Sequence, residues 1–221
     1  MGYVLREGTT FCRIGERIVF LDIPSDRYFC LTPPAERSFR QLVDDGPPQP
    51  DEPHLLRFLA QGLLIATPEP IRPHACHLAR IPEISILDTV AHLPASIATA
   101  GALTKLVSVR MHLRLMGLGR TLSWISRRKT RLPDARQGQQ TSLAQLMAGF
   151  VAAAHITSIS DDCLAHSLAV AAKMIGHGIA PEIVLGVKLG PFSAHCWVQH
   201  EANLVNDRFD VVRNFTPIAV I

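Results

Sequence analysis

Residues 161–207 read DDCLAHSLAVAAKMIGHGIAPEIVLGVKLGPFSAHCWVQHEANLVND, and the fold is decided by how this stretch is read. Leu164, Leu168, Ala171, Ala172 and Ile175 recur at helical intervals. Ser160 or Asp161 is available as N-cap and Gly176 or Gly178 as stop, so the spacing predicts one apolar helix over 161–178. Cys163 falls in its first turn, where unpaired N–H groups and the positive end of the helix dipole favour a thiolate. Asp161 and Asp162 oppose that effect, so an imidazolium partner is needed to lower the thiol pKa further. Beyond Gly178 come two apolar strands, 182–189 and 193–199, separated by Gly190 and Pro191, and a third at about 203–207. Helices followed by adjacent antiparallel strands give an α+β class.

The partner is offered by the strands. A hairpin centred on Glu201 with a loop of odd length sets His195 directly opposite Asp207, with Cβ atoms roughly 4.5–5.5 Å apart. A carboxylate then holds one imidazole nitrogen while the other faces the thiol. A two-residue turn shifts the register by one and moves Asp207 away. Each residue also has a plain structural reading: Cys163 as a small buried hydrophobe, His195 as a satisfied strand histidine, Asp207 as a turn residue. Taken together, Cys163, His195 and Asp207 in this order and spacing point to a thiol hydrolase.

Within the quoted stretch, the runs CLAHSLA, GI, GV, FSAHCWVQ and ND resemble the pattern of the transglutaminase-like cysteine protease of lasso-peptide biosynthesis. That family is the B protein, or leader peptidase. The runs that carry the resemblance extend from Cys163 to Asp207. It implies a papain-like domain with helices packed on an antiparallel sheet, with Cys163 as nucleophile, His195 as general base and Asp207 as orienting acid. The sequence departs from the family pattern at His166, where arginine is frequent, at Cys196, where alanine is usual, and at Gln199, where glutamate is usual.

At 221 residues and 48% hydrophobic content the chain can hold one large or two small domains. Its five cysteines contain no CxxC pair, and MGYVLREGTT has no apolar secretory segment, which predicts a cytoplasmic protein. The most apolar stretch, 84–109, is interrupted by Asp88, His92, Pro94 and Lys105, so no membrane span is expected. His74, Cys76 and His77, or His195, Cys196 and His200, are close enough to raise a metal site. A second ligand pair is missing and adjacent strand residues face opposite ways, so neither metal nor cofactor is expected. Residues 104–136 hold nine Lys or Arg against one acid, Asp134, giving +8 there and −5 elsewhere from a net +3. With Trp124 as their single aromatic and no zinc-finger or RNP pattern, they read as a solvated helical face over 95–117 and 119–129. Nucleic acid is not expected as a partner, and an acidic peptide or protein surface is the better fit.

Residues 1–68 alternate short strands at 9–14, 17–23 and 26–31 with helices at 34–45 and 53–61, punctuated by Pro47, Pro48, Pro50 and Pro53 and closed by LLIAT. Residues 69–82 are a Pro-rich linker, and 83–221 form the second domain. The three-stranded start, the LD…RYFCL run and the following helices resemble the PqqD-like winged-helix domain, which recognises precursor peptides. The resemblance implies leader binding on Asp26, Arg27, Tyr28, Phe29, Cys30 and Leu31, an edge segment to which an extended peptide can add as a strand. Together the two resemblances imply a protease that binds the leader of a ribosomally made lasso-peptide precursor and cuts it from the core. The liberated core would pass to an ATP-dependent cyclase, the expected protein partner. An acyltransferase or transglutaminase using the same three residues, or a non-catalytic peptide-binding adaptor, are the alternatives.

Overall fold

The computed structural model describes residues 2–46, 52–78, 80–88, 96–132, 143–156 and 163–221. The N-cap expected at Ser160 or Asp161, the carboxylates of Asp161 and Asp162, and the end of the basic stretch from residue 133 lie outside them. The chain is mixed α+β and divides into two compact units, Met1–His77 and Leu78–Ile221.

In the first unit β1 (Gly2–Leu5) is followed by an antiparallel meander of β2 (Thr9–Ile14), β3 (Arg17–Asp22) and β4 (Arg27–Cys30). Helices α1 (Pro33–Asp44) and α2 (Pro53–Ala60) follow, and β5 (Leu64–Thr67) returns to pair antiparallel with β1. Both helices open on proline, whose missing N–H is an orphan at that position anyway; Glu52 caps α2 by accepting from the Leu55 amide. The core is aromatic: Phe39 of α1 meets Phe11 and Phe20 of the sheet edge-on, at 5.2 and 5.0 Å between centroids. Glu36 is buried beside them, accepting from the Ile18 amide at 2.6 Å and Arg17 at 3.1 Å, so its charge is compensated. Part of the Pro-rich stretch belongs to this unit. The Ile71 carbonyl accepts from Tyr3 and the Cys76 amide donates to Phe11.

The second unit begins with β6 (Ile84–Ser85) and a short 3-10 turn, Ile86–Asp88. The helices α3 (Ser96–Lys129), α4 (Leu143–Ile156) and α5 (Cys163–Gly176) follow, then β7 (Glu182–Lys188), β8 (Ser193–His200), β9 (Asn203–Leu204), α6 (Phe209–Val212) and β10 (Thr216–Val220). Helix α3 is two helices joined at Gly117, whose φ of +75° lies in the left-handed region that suits glycine. The sheet runs β10-β7-β8-β9-β6, antiparallel except for the parallel β6–β9 edge. Helix α5 is buried nearly all round, packing on α3, α4, β7 and β8, as its almost uninterrupted apolar sequence requires. Gly178, with φ of +79°, ends it by reversing the chain so that the Gly178 and Ile179 amides bond back to Ile175 and Met174. No helix among the described residues is long and apolar enough to cross a membrane.

Candidate active site

Helix α5 begins at Cys163, so the thiol sits where the helix presents unpaired amides. Burial pushes the Cys163 thiol up. The hydrogen bond with His195, the backbone amides of Cys196 and Leu164, and the charge of His195 outweigh it, and the net shift is downward. His195 projects from β8. Its Nε2 meets Asp207 Oδ2 in a short ion pair, and the ring also hydrogen-bonds the Cys163 thiol. Burial lowers the imidazole pKa, but Asp207 and Cys163 together raise it to about 9. Both shifts favour the thiolate–imidazolium pair, the form that attacks a carbonyl and then has a proton to give.

The register is not the one the sequence suggests. His200 pairs with Asn203 and Gln199 with Leu204, so the turn is Glu201 and Ala202, an even loop, with Glu201 at φ +56°. A continued ladder would set Arg208, not Asp207, opposite His195. The contact forms because the chain leaves the ladder. After Val205 donates to Val198 O, the side chain of Asn206 takes over as partner, its Oδ1 accepting from the Val198 amide at 2.7 Å. The backbone is thereby freed to carry Asp207 to the imidazole. Asp207 is then held on every side: Oδ1 accepts from the Arg208 amide at 2.7 Å, and its carbonyl accepts from Ser85 at 2.6 Å.

The same Asn206 reaches α5. Its Nδ2 donates to Ser167 Oγ at 2.8 Å and lies 3.3 Å from His166 Nδ1, while Ser167, fully buried, donates to the Cys196 carbonyl at 2.7 Å. Helix and strand are pinned together at the residue whose amide points at the Cys163 sulfur. Beneath the imidazole lie two rings, Trp197 at 6.2 Å and Phe215 at 4.9 Å. Trp197 needs Gly186 on β7, because a Cβ there would come within 2.5 Å of the indole.

The departures from the family pattern have local reasons. Gln199 is buried, accepts from the Trp197 indole, and donates to Arg80 O at 3.1 Å and Glu182 at 3.0 Å. A glutamate there would put two carboxylates together. Cys196 is buried against Ser167, and burial pushes its thiol well up, so it remains a neutral thiol. Among the described residues no cluster of His, Cys, Asp and Glu is arranged to hold a metal.

The three side chains open on a cleft of about 310 Å³ whose far wall is Leu87, Met147, Phe150 and Val151. The wider comparison agrees with this geometry: a family profile described as the transglutaminase-like superfamily matches residues 105–220, just over half of the chain. The chain belongs to the transglutaminase-like superfamily. A cysteine-protease-type catalytic fold is general in this superfamily, and the match takes in Cys163, His195 and Asp207. No curated protein and no solved structure matches the chain.

The leader-binding residues expected in the first unit have mixed surroundings. Strand β4 is at the edge of its sheet in the order β2-β3-β4. Phe29 stacks on Phe20 at 5.1 Å and packs on the unit's own core, whereas Arg27 and Cys30 are exposed. Asp26 precedes the strand in a turn with φ of +51°. Asn206, Ser167, Ser85 and Gly186 were not legible as site residues. Ser167, Gly186 and Asn206 nevertheless fall within the runs CLAHSLA, GV and ND, whereas Ser85 carried no signal.

Proposed function

We propose that this protein is a cysteine peptidase that removes the leader from a ribosomally synthesised lasso-peptide precursor. Cys163 is the nucleophile, His195 the base and acid, and Asp207 the group that orients and charges the imidazole. The observation that carries this reading is the Cys163–His195 contact at a helix N-terminus, with Asp207 on Nε2 of the same ring. The thiolate attacks the scissile carbonyl, forming a C–S bond. The His195 imidazolium protonates the amine as the C–N bond breaks, and water, deprotonated by His195, hydrolyses the thioester. The Leu164 and Cys196 amides, both directed at the sulfur, lie near the carbon it attacks and suit the developing oxyanion.

The first unit supplies recognition in this reading. An extended leader adds along the β4 edge, with Arg27, Tyr28 and Cys30 in contact with it, while Phe29 and Leu31 pack on the unit's own core and Asp26 sets the turn. The cleaved core passes to an ATP-dependent cyclase. The resemblance of residues 163–207 to the leader peptidases, and of residues 1–68 to PqqD-like domains, supports this substrate over other acyl transfers.

The test is to incubate the chain with the short ribosomal peptide encoded beside its gene and weigh the products. Two fragments summing to the precursor plus one water, absent with Cys163→Ala, support the proposal. An amine-linked product without net hydrolysis would move the assignment to acyl transfer.

A further inference from the structure

The second unit carries another cavity, larger than the cleft at Cys163, that the proposed cleavage does not use. It measures about 740 Å³ and is built mainly on the part of α3 that follows Gly117. Arg120, Trp124 and Arg128 follow one another at four-residue intervals in the helix after Gly117, so they form one row, with Arg127 beside it, Arg131 just past the helix end and Met116 on the helix before the break. No acidic side chain among the described residues lines it. The arginines therefore line one wall of the cavity with no carboxylate among the described lining residues. Arg128 covers the Trp124 ring at 5.0 Å and His112 lies against the same indole at 5.2 Å, which leaves a half-buried aromatic flanked by a guanidinium and an imidazole.

From this arrangement we propose that the cavity is a binding site for an acidic polypeptide segment, one carrying carboxylates at alternating positions around an apolar side chain. The spacing favours separate carboxylates over a single compact anion. Arg120 and Arg128 are about 12 Å apart along the helix axis. In an extended peptide, side chains four residues apart on one side are separated by about 13 Å. Guanidinium groups take carboxylates in bidentate fashion, and Trp124 with Met116 gives the intervening apolar side chain a surface. A phosphate cradle would be built differently, from amides at a helix N-terminus. Here Arg127, Arg128 and Arg131 lie at the C-terminal end of α3, where the carbonyls disfavour a compact dianion.

The probe is an N-acetylated, C-amidated peptide with four glutamates placed alternately about a central phenylalanine, titrated into the full chain. The chain has two tryptophans, and Trp197 is fully buried, so a fluorescence change that disappears in Trp124→Phe reports this cavity. Binding is expected to weaken at least about tenfold in the Arg120→Gln, Arg127→Gln double variant, and to vanish when the glutamates of the probe become glutamines. Because these arginines are on the surface, the double variant should keep its melting temperature and its rate of Cys163 alkylation, which shows that it is folded. No saturable signal from the acidic peptide would overturn the proposal. So would equal binding by the double variant. Displacement of the peptide by millimolar inorganic phosphate or by a short DNA duplex at matched ionic strength would also overturn it, making the cavity a general anion site.

Discussion

The chemistry turns on residues whose ionisation is set by neighbours rather than by type. Cys163 is pulled below its ordinary range by His195 and by two amides, against the effect of its own burial, and His195 is raised to about 9. Activity should therefore hold through neutral pH and fall as pH rises through about 9, when the imidazolium loses the proton it must give to the leaving amine. Asp207→Asn removes the carboxylate that raises His195, so that falling limb should move to lower pH, with kcat reduced by roughly 10²–10⁴-fold. The same linkage has a sign for stability. With the folded pKa of His195 above its ordinary 6.5, its contribution is complete below that value and is lost as pH rises through about 9. Melting temperatures across that window should fall more for the parent chain than for Asp207→Asn. Asn206 is the positioning residue to vary. Asn206→Ala leaves the Val198 amide without its acceptor and removes the donor to Ser167, at a cost of about 1–3 kcal/mol, and should shift the thiol's alkylation profile to higher pH. Asn206→Asp keeps the acceptor for Val198 and should recover part of that shift. Equal profiles for both variants and the parent would remove the positioning role.

At the scale of elements, much was legible because periodicity and punctuation agree in this chain. The apolar helix at Cys163, the break of α3 at Gly117, and the strands of 182–200 all follow from spacing and glycine placement. Loop parity was not legible. Glu201 carries a positive φ that its type does not advertise, and the third strand ends at Leu204 because a side chain, Asn206, replaces the backbone as ladder partner. The strand β10 went unread for a different reason: Pro217 and an irregularity before Ala219 disguise an edge strand. Strand β7 also contains a position sensitive to change, Gly186. Gly186→Ala drives a Cβ into Trp197, the shelf beneath His195, and should lower stability by about 1–3 kcal/mol in urea unfolding while reducing activity of the folded fraction. An unchanged unfolding midpoint would show that the indole relaxes away without cost.

For the whole molecule, the family match lies entirely inside the second unit, which holds Cys163, His195 and Asp207; the proposed function gives leader recognition to the first. A fragment of residues 1–77 should fold and bind the leader without cutting it. A fragment of residues 78–221 should keep a reactive thiol but show a higher KM for intact precursor, since tethering raises the local concentration of the scissile bond. A KM unchanged by loss of the first unit would place recognition elsewhere. The central claim, that Cys163 is an activated nucleophile, can be tested on the intact chain without knowing its substrate. The five cysteines are free; Cys30 is exposed, whereas Cys163 is half-buried. Accessibility alone would make Cys30 the fastest to react. Brief iodoacetamide treatment at pH 6.5, with the modified sites read by mass spectrometry, should label Cys163 first, and His195→Ala should slow that labelling while leaving Cys30 unaffected. Preferential labelling of Cys30, or a Cys163 rate indifferent to His195, would contradict the account.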